Sequence, residues 1–252
     1  MLKRGIYRAI FGLALAGVSL QASTLVVGEP PKVGTGNCVP FGCPEFFGLG
    51  TYQQVYLNSA FPGTISIGAL EFFEGEVLNN GGLPAAGNFI FSLSYTSFAP
   101  GHLSLVNPIL NEQSGTQVIF DGSLPTLTRD GTVNQLIFNS APYLYNPADG
   151  NLLLTVAVTG ASDSNPRLYL DQSACGPKTF CPPGSSVVST MAYFGMLNGV
   201  PLNGGNDAGG LVTGFSYSSP VSTPEPGSLF LALAGIGAIV FLKRRRSGIA
   251  RP

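Results

Sequence analysis

Asn88-Phe89-Ile90-Phe91-Ser92-Leu93-Ser94-Tyr95-Thr96 sets Phe89, Phe91, Leu93 and Tyr95 at every second position. Side chains of an extended strand point alternately to opposite faces, so these four line one face of a half-buried β-strand. Similar patterns lie on both sides. Thr51–Leu57 alternates around Tyr52, Val55 and Tyr56. Thr64–Phe73 shows Ile65, Ile67 and Ala69 on one face before Leu70 and Phe72 take the other, which predicts a bulge near Gly68. Thr24–Val27 reads as a short edge strand. Thr116–Phe120, Val133–Phe138, Leu152–Val158, Arg167–Leu170, Val187–Met196 and Leu211–Tyr217 read as further strands. Asn79–Gly82 and the pairs Asp121-Gly122, Asp130-Gly131 and Asp149-Gly150 punctuate them as turns. Many short strands, no amphipathic helix and no long repeat predict an all-β chain. The expected fold is a jelly-roll-like antiparallel β-sandwich rather than a propeller or solenoid.

The two ends of the chain have a different character. Lys3, Arg4 and Arg8 precede an apolar stretch, Ile10–Leu20, with Ala22 as a cleavage position. This is the form of a secretory signal peptide, residues 1–22. The C-terminal segment, 223–252, contains Pro224-Glu225-Pro226, then the uncharged apolar run Leu229–Leu242, then Lys243-Arg244-Arg245-Arg246. As a helix that 14-residue run is about 21 Å long, short of the roughly 30 Å of a hydrocarbon core. Its position after two prolines and before a basic stop predicts a short transmembrane helix whose arginines stay cytoplasmic. Residues 23–222 are left as one ectodomain, with Ser218–Thr223 as its polar exit.

Pro-Glu-Pro, a short apolar helix and a terminal basic cluster, in that order, resemble the PEP-CTERM sorting signal of exported proteins from Gram-negative, exopolysaccharide-producing bacteria. The resemblance covers residues 223–246, and Ser247–Pro252 run on past the arginines. It implies an exosortase-type processing partner acting near Pro224, Glu225 and Pro226. It also implies transient residence in the inner membrane, then release to the cell surface or the exopolysaccharide matrix. More loosely, Asn37–Cys43, Tyr52-Gln53-Gln54-Val55-Tyr56 and Tyr145–Leu154 look like recurring elements of ectodomains attached to such tails, and imply a β-rich exported module without a known activity.

Charge and cysteines agree with export. The body carries four basic residues, Lys32, Arg129, Arg167 and Lys178, against twelve acidic ones, a formal charge of −8. Nucleic-acid binding calls for basic patches, so no nucleic-acid partner is expected. Cys38, Cys43, Cys175 and Cys181 fall in an oxidising compartment, where disulfides are the default. The local pairs Cys38–Cys43 and Cys175–Cys181 are favoured, each bracketing a Gly/Pro-containing loop. A four-cysteine zinc site is the alternative, and Cys175 and Cys181, with five residues between them, are widely spaced for it.

Few residues offer chemistry. His102 is the single histidine, in a Pro-Gly-His loop, and no Gly-x-Ser-x-Gly elbow is present. No catalytic residue is assigned and the chain is read as a non-enzyme. Glu71, Glu74 and Glu76 are the dense carboxylates, and a glycoside hydrolase would need two of them across a sugar bond. Gly75 suggests a turn rather than a rigid strand, and solvated edge charges are the better reading of them. Asp149, Asn151 and Asn146 surround one turn, with Asp163 and Asp171 in later loops. Such oxygens supply Ca²⁺ ligands, so Asp149, Asn151 and Asp163 form a candidate structural calcium set, although turns use Asp and Asn for their own sake. No other cofactor is expected. The chain has no Trp, leaving Tyr52, Tyr56, Tyr143, Tyr145, Tyr169, Tyr193 and Tyr217 as the rings available for sugar stacking. The role expected is a structural or adhesive matrix component, with a calcium-assisted carbohydrate-binding module and a polysaccharide hydrolase as alternatives.

Processing at the tail predicts that mature protein from native cells lacks Leu229–Pro252. Intact-mass measurement checks this, and a mature chain still carrying that segment contradicts it.

Overall fold

The computed structural model describes residues 23–28, 36–45, 48–75, 81–130, 133–173, 188–197, 200–204 and 209–219. The leader, the tail, Glu76, Cys175 and Cys181 lie outside the described residues. Thirteen strands are described: β1 (Ser23–Val27), β2 (Gly36–Asn37), β3 (Leu49–Tyr56), β4 (Ile65–Phe73), β5 (Ala86–Thr96), β6 (Ser114–Gly122), β7 (Thr128–Asp130), β8 (Val133–Tyr145), β9 (Asn151–Ser162), β10 (Leu170–Asp171), β11 (Ser189–Leu197), β12 (Val200–Gly204) and β13 (Thr213–Ser218). They form a six-stranded sheet in the order β12-β11-β3-β9-β5-β6, a five-stranded sheet in the order β1-β13-β4-β8-β7, and a small β10-β2 pair. The pairings between these strands are antiparallel. No described helix is long and apolar enough to cross a membrane.

The two large sheets face each other across one apolar layer. From the six-stranded sheet Tyr52, Tyr56, Phe89, Phe91, Leu93, Leu152, Leu154 and Val156 point inward. Ile65, Ile67, Leu70, Phe72, Leu136, Phe138 and Phe215 meet them from the other. Phe91 on β5 lies 4.4 Å from Phe138 on β8, centroid to centroid, and Tyr56 on β3 lies 5.0 Å from Phe215 on β13. Such close tilted and edge-on pairs add to the burial of large rings. The Leu152-Leu153-Leu154 run does not alternate because β9 is covered on both faces. Leu152 and Leu154 enter the main core. Leu153 joins Val55, Leu103, Ala192 and Phe194 in a second cluster beneath loop 97–113.

One ring is supplied by a loop rather than a strand. Cys38 and Cys43 form a disulfide, and Phe41 between them is fully buried. Its ring lies 4.9 Å from Phe72, 5.8 Å from Phe91 and 5.8 Å from Phe138. The loop is tied down by Ala85 N–H donating to Phe41 O (2.7 Å) and Ser164 N–H donating to Gly42 O (3.2 Å). A Cβ on Gly42 would stand 2.1 Å from Leu168 O, so only glycine fits there.

The expected bulge is present. Pairing between β4 and β8 jumps from Ile67↔Tyr143 to Ala69↔Asn139, so Gly68 faces the extra residues Ser140, Ala141 and Pro142. This explains why β8 runs past Phe138, its expected end, to Tyr145: a bulge tolerates a proline that a regular ladder would not. The Asp121-Gly122 turn is corrected. Both residues belong to β6 and pair with Ile90 and Phe89. β2, β7 and β12 add short pieces whose few residues carry no readable period.

Tyr52 and Tyr56 are fully buried. Burial pushes both phenols well above their ordinary range, and the charge of Tyr56 adds to the effect at Tyr52. Above about pH 10 tyrosines of the unfolded chain lose protons that these two keep. The folded state then binds more protons, and stability falls as pH rises, by up to about 1.4 kcal/mol per unit for each. In an alkaline titration, tyrosinate absorbance from the buried rings should appear in the same step in which circular dichroism collapses. Complete ionisation with the β-sheet signal intact would contradict this.

Candidate functional site

Three adjacent strands lose register at one level of the five-stranded sheet. β4 does so at Gly68, β8 at residues 140–142, and β13 between Ser216 and Tyr217. The result is an open depression of about 380 Å³ on the outer face. Ser66, Glu71, Asn139, Pro142, Ser216 and Ser218 line it. Bulges commonly re-aim side chains at functional places. A Glu71 carboxylate oxygen accepts from the Ser216 hydroxyl, and that hydroxyl also contacts Thr24 Oγ1 at 3.3 Å. The surface offers a carboxylate, a carboxamide and hydroxyls. Tyr217 borders it, but this ring packs against the core rather than forming a platform.

The dense carboxylates do not converge. Glu71 is half-buried on the outer face, whereas Glu74, three positions on, turns inward and is 3 % exposed. Glu74 accepts a hydrogen bond from the Asn134 side chain through one oxygen, while the other has no hydrogen-bond partner among the described residues. Odd spacing in an extended chain puts the two on opposite faces, so they cannot flank one glycosidic bond. Glu76 lies outside the described residues. His102 sits in an exposed loop, its Nδ1 3.1 Å from Pro100 O.

The calcium set is split as well. Asp149 and Asn151 flank the start of β9, and Asp163 follows its end. Eleven residues at about 3.3 Å each separate the two positions by roughly 35 Å, so one ion cannot bind all three. Their oxygens have other work. Asn151 Oδ1 accepts from Asn58 N–H (2.9 Å), Asn146 Nδ2 donates to Asp149 Oδ2 (3.0 Å), and Asp163 is ion-paired with Arg167 at 2.9 Å. No group of three His, Cys, Asp or Glu suited to a metal occurs among the described residues. The Cys38 and Cys43 sulfurs are bonded to each other, so neither is a zinc thiolate.

The residues that look like recurring ectodomain elements turn out to be staples. In Tyr52-Gln53-Gln54-Val55-Tyr56, Gln54 faces inward. Its Oε1 accepts from Leu211 N–H (2.9 Å) and Tyr52 OH (2.5 Å), and its Nε2 donates to Leu211 O (2.8 Å). One side chain thus replaces a strand pairing between β3 and the entry to β13. Gln53 faces outward and holds loop 97–113 through Pro108 O and Asn111 Nδ2. In Tyr145–Asn151, Tyr145 OH donates to Gly150 O (2.8 Å), and Asn151 Nδ2 donates to Phe98 O (2.9 Å). The alternating pattern revealed which face each residue takes, but not these distant partners.

Pro224, Glu225, Pro226 and the basic cluster Lys243–Arg246 lie beyond the described residues. The last described strand, β13, ends at Ser218, six residues before Pro224 in the sequence. No curated protein and no solved structure matches the chain. Residues 222–246 match the PEP-CTERM protein-sorting motif. The chain therefore carries a PEP-CTERM signal on a β-rich body, and that signal marks it for export and for membrane-anchored sorting by an exosortase-type enzyme.

Proposed function

We propose that this protein is a non-catalytic structural or adhesive component of the cell surface or exopolysaccharide matrix, released there after processing of its tail. The observation that supports the reading is the placement of the aromatic side chains. Tyr52, Tyr56, Tyr143 and Tyr145 are buried, and Tyr95, Tyr169, Tyr193 and Tyr217 pack against the core. Glycan-binding surfaces normally present exposed rings to sugar faces. Here the tyrosines hold two sheets together, and the outer face of the five-stranded sheet presents Thr24, Ser66, Glu71, Asn139 and Ser216.

The body is read as a jelly roll on its strand order. Among β1, β3, β4, β5, β6, β8, β9 and β13, taken as first to eighth, one sheet runs first–eighth–third–sixth. The other runs second–seventh–fourth–fifth. This is the order of two nested Greek keys. The scaffold hosts many unrelated functions, so it supports no activity by itself.

The carbohydrate-binding alternative would use the depression around Glu71 and Asn139, and the hydrolase alternative would need carboxylates that share a face. Affinity electrophoresis of residues 23–222 against the host exopolysaccharide and a glycan panel, with calcium and with chelator, separates the readings. The expected result is unchanged mobility in every lane. Retardation abolished by chelator would establish a calcium-dependent glycan module instead. Chelator-insensitive retardation lost in Glu71→Gln or Asn139→Ala would place a sugar site in the depression.

A further inference from the structure

Ser23 opens β1, Ser218 closes β13, and the antiparallel ladder sets Ser23 opposite Tyr217. The polypeptide therefore enters and leaves the sandwich side by side, at one end. The flanking sequences give that geometry a meaning. Two residues separate Ser23 from the apolar stretch ending at Leu20, so Ser23 can stand no more than roughly 11 Å from it. From Ser218 to Leu229 the chain reaches at most roughly 40 Å. Basic residues precede the first apolar stretch and follow the second. Both basic clusters stay on the cytoplasmic side, so the two stretches deliver Ser23 and Ser218 to the same far side of the bilayer. Antiparallel neighbours accept that delivery directly. Parallel ones would require one connection to run the length of the body.

Charge supplies a second, independent observation. The end that holds Ser23 and Ser218 is completed by loops 57–64 and 146–150, in which Asp149 is the single charged residue. Loop 97–113 springs from the same level and folds back over β9, where its Glu112 accepts from Thr155. Near the opposite end lie exposed Glu45 and Asp121, buried Glu74, and Asp163 ion-paired with Arg167. Anionic headgroups repel an acidic surface brought within a Debye length of about 8–10 Å. Loops 57–64 and 146–150, with one carboxylate between them, meet little of that repulsion. The acidic end, roughly 35 Å away along β9, lies well outside it.

We infer that, before either terminal segment is removed, the sandwich is held to the bilayer by both ends, with the end formed by loops 57–64 and 146–150 facing the lipid headgroups. This rests on the export reading of residues 1–22 and 223–252. The β1–β13 ladder can then close while both segments are still in the membrane. Pro224–Pro226 begins within roughly 22 Å of the body on the same side.

The test uses the unprocessed full-length chain in vesicles of phosphatidylethanolamine and phosphatidylglycerol carrying a headgroup energy-transfer acceptor. A fluorescent side chain is installed at exposed Ala148 or at exposed Ser162, at opposite ends of β9. Transfer from Ala148 should exceed transfer from Ser162 several-fold. Equal transfer from vesicle-bound chains overturns the orientation. A chain ending at residue 219 should remain vesicle-bound through its leader. Its release would instead refute the leader reading, and the inference with it, as a separately visible failure.

Discussion

Phe41 is the contact on which the body depends. It comes from a loop, yet its ring fills the space between the two sheets and touches Phe72, Phe91 and Phe138. A short loop that turns a phenylalanine inward loses much conformational entropy on folding. The Cys38–Cys43 bond removes part of that loss from the unfolded state, by about 2 kcal/mol on the chain-entropy model. Gly42 lets the loop press directly on the backbone at Leu168. Packing, backbone and covalent chemistry thus meet at six residues. Because that bond requires an oxidising compartment, the stability of the body is coupled to the export its tail specifies.

The remaining polar interior serves the same architecture. Gln54 closes a gap between β3 and residue 211 that no strand fills, and Tyr56 OH lies 2.9 Å from Thr213 Oγ1 at the foot of β13. Asn58 and Asn151 tie together the loops where the chain crosses between sheets. Buried hydrogen-bonding groups left unpaired are costly, so these side chains are constrained by the fold. Their polar character serves connection between sheets.

Much of the fold was legible because its signals were local. Period-two alternation marked the inward faces of β5 and β4, the phase shift at Gly68 marked a real bulge, and short cysteine spacing marked a real disulfide. The tail was legible as a motif in fixed order. What could not be read was non-local. A tyrosine that alternates looks the same whether its neighbours are solvent or another sheet, so the fate of the rings appeared only once the sheets were paired. Asp149, Asn151 and Asp163 looked like one oxygen-rich set because twelve residues is a short distance in sequence. As a strand those residues span most of the molecule. The alternation ended β8 at Phe138, and the bulge that accommodates Pro142 carries the strand on to Tyr145.

The coupling between the Phe41 loop and the oxidising compartment is tested most directly by thermal unfolding of residues 23–219 as oxidised protein, compared with the Cys38→Ser/Cys43→Ser double variant. Cys175 and Cys181 remain in both, so the comparison isolates one bond. Loss of about 2 kcal/mol should lower Tm by roughly 4–8 °C for a body of this size. An unchanged Tm would mean that the sheets hold Phe41 without the bond, and that folding is independent of the compartment to which the chain is sent.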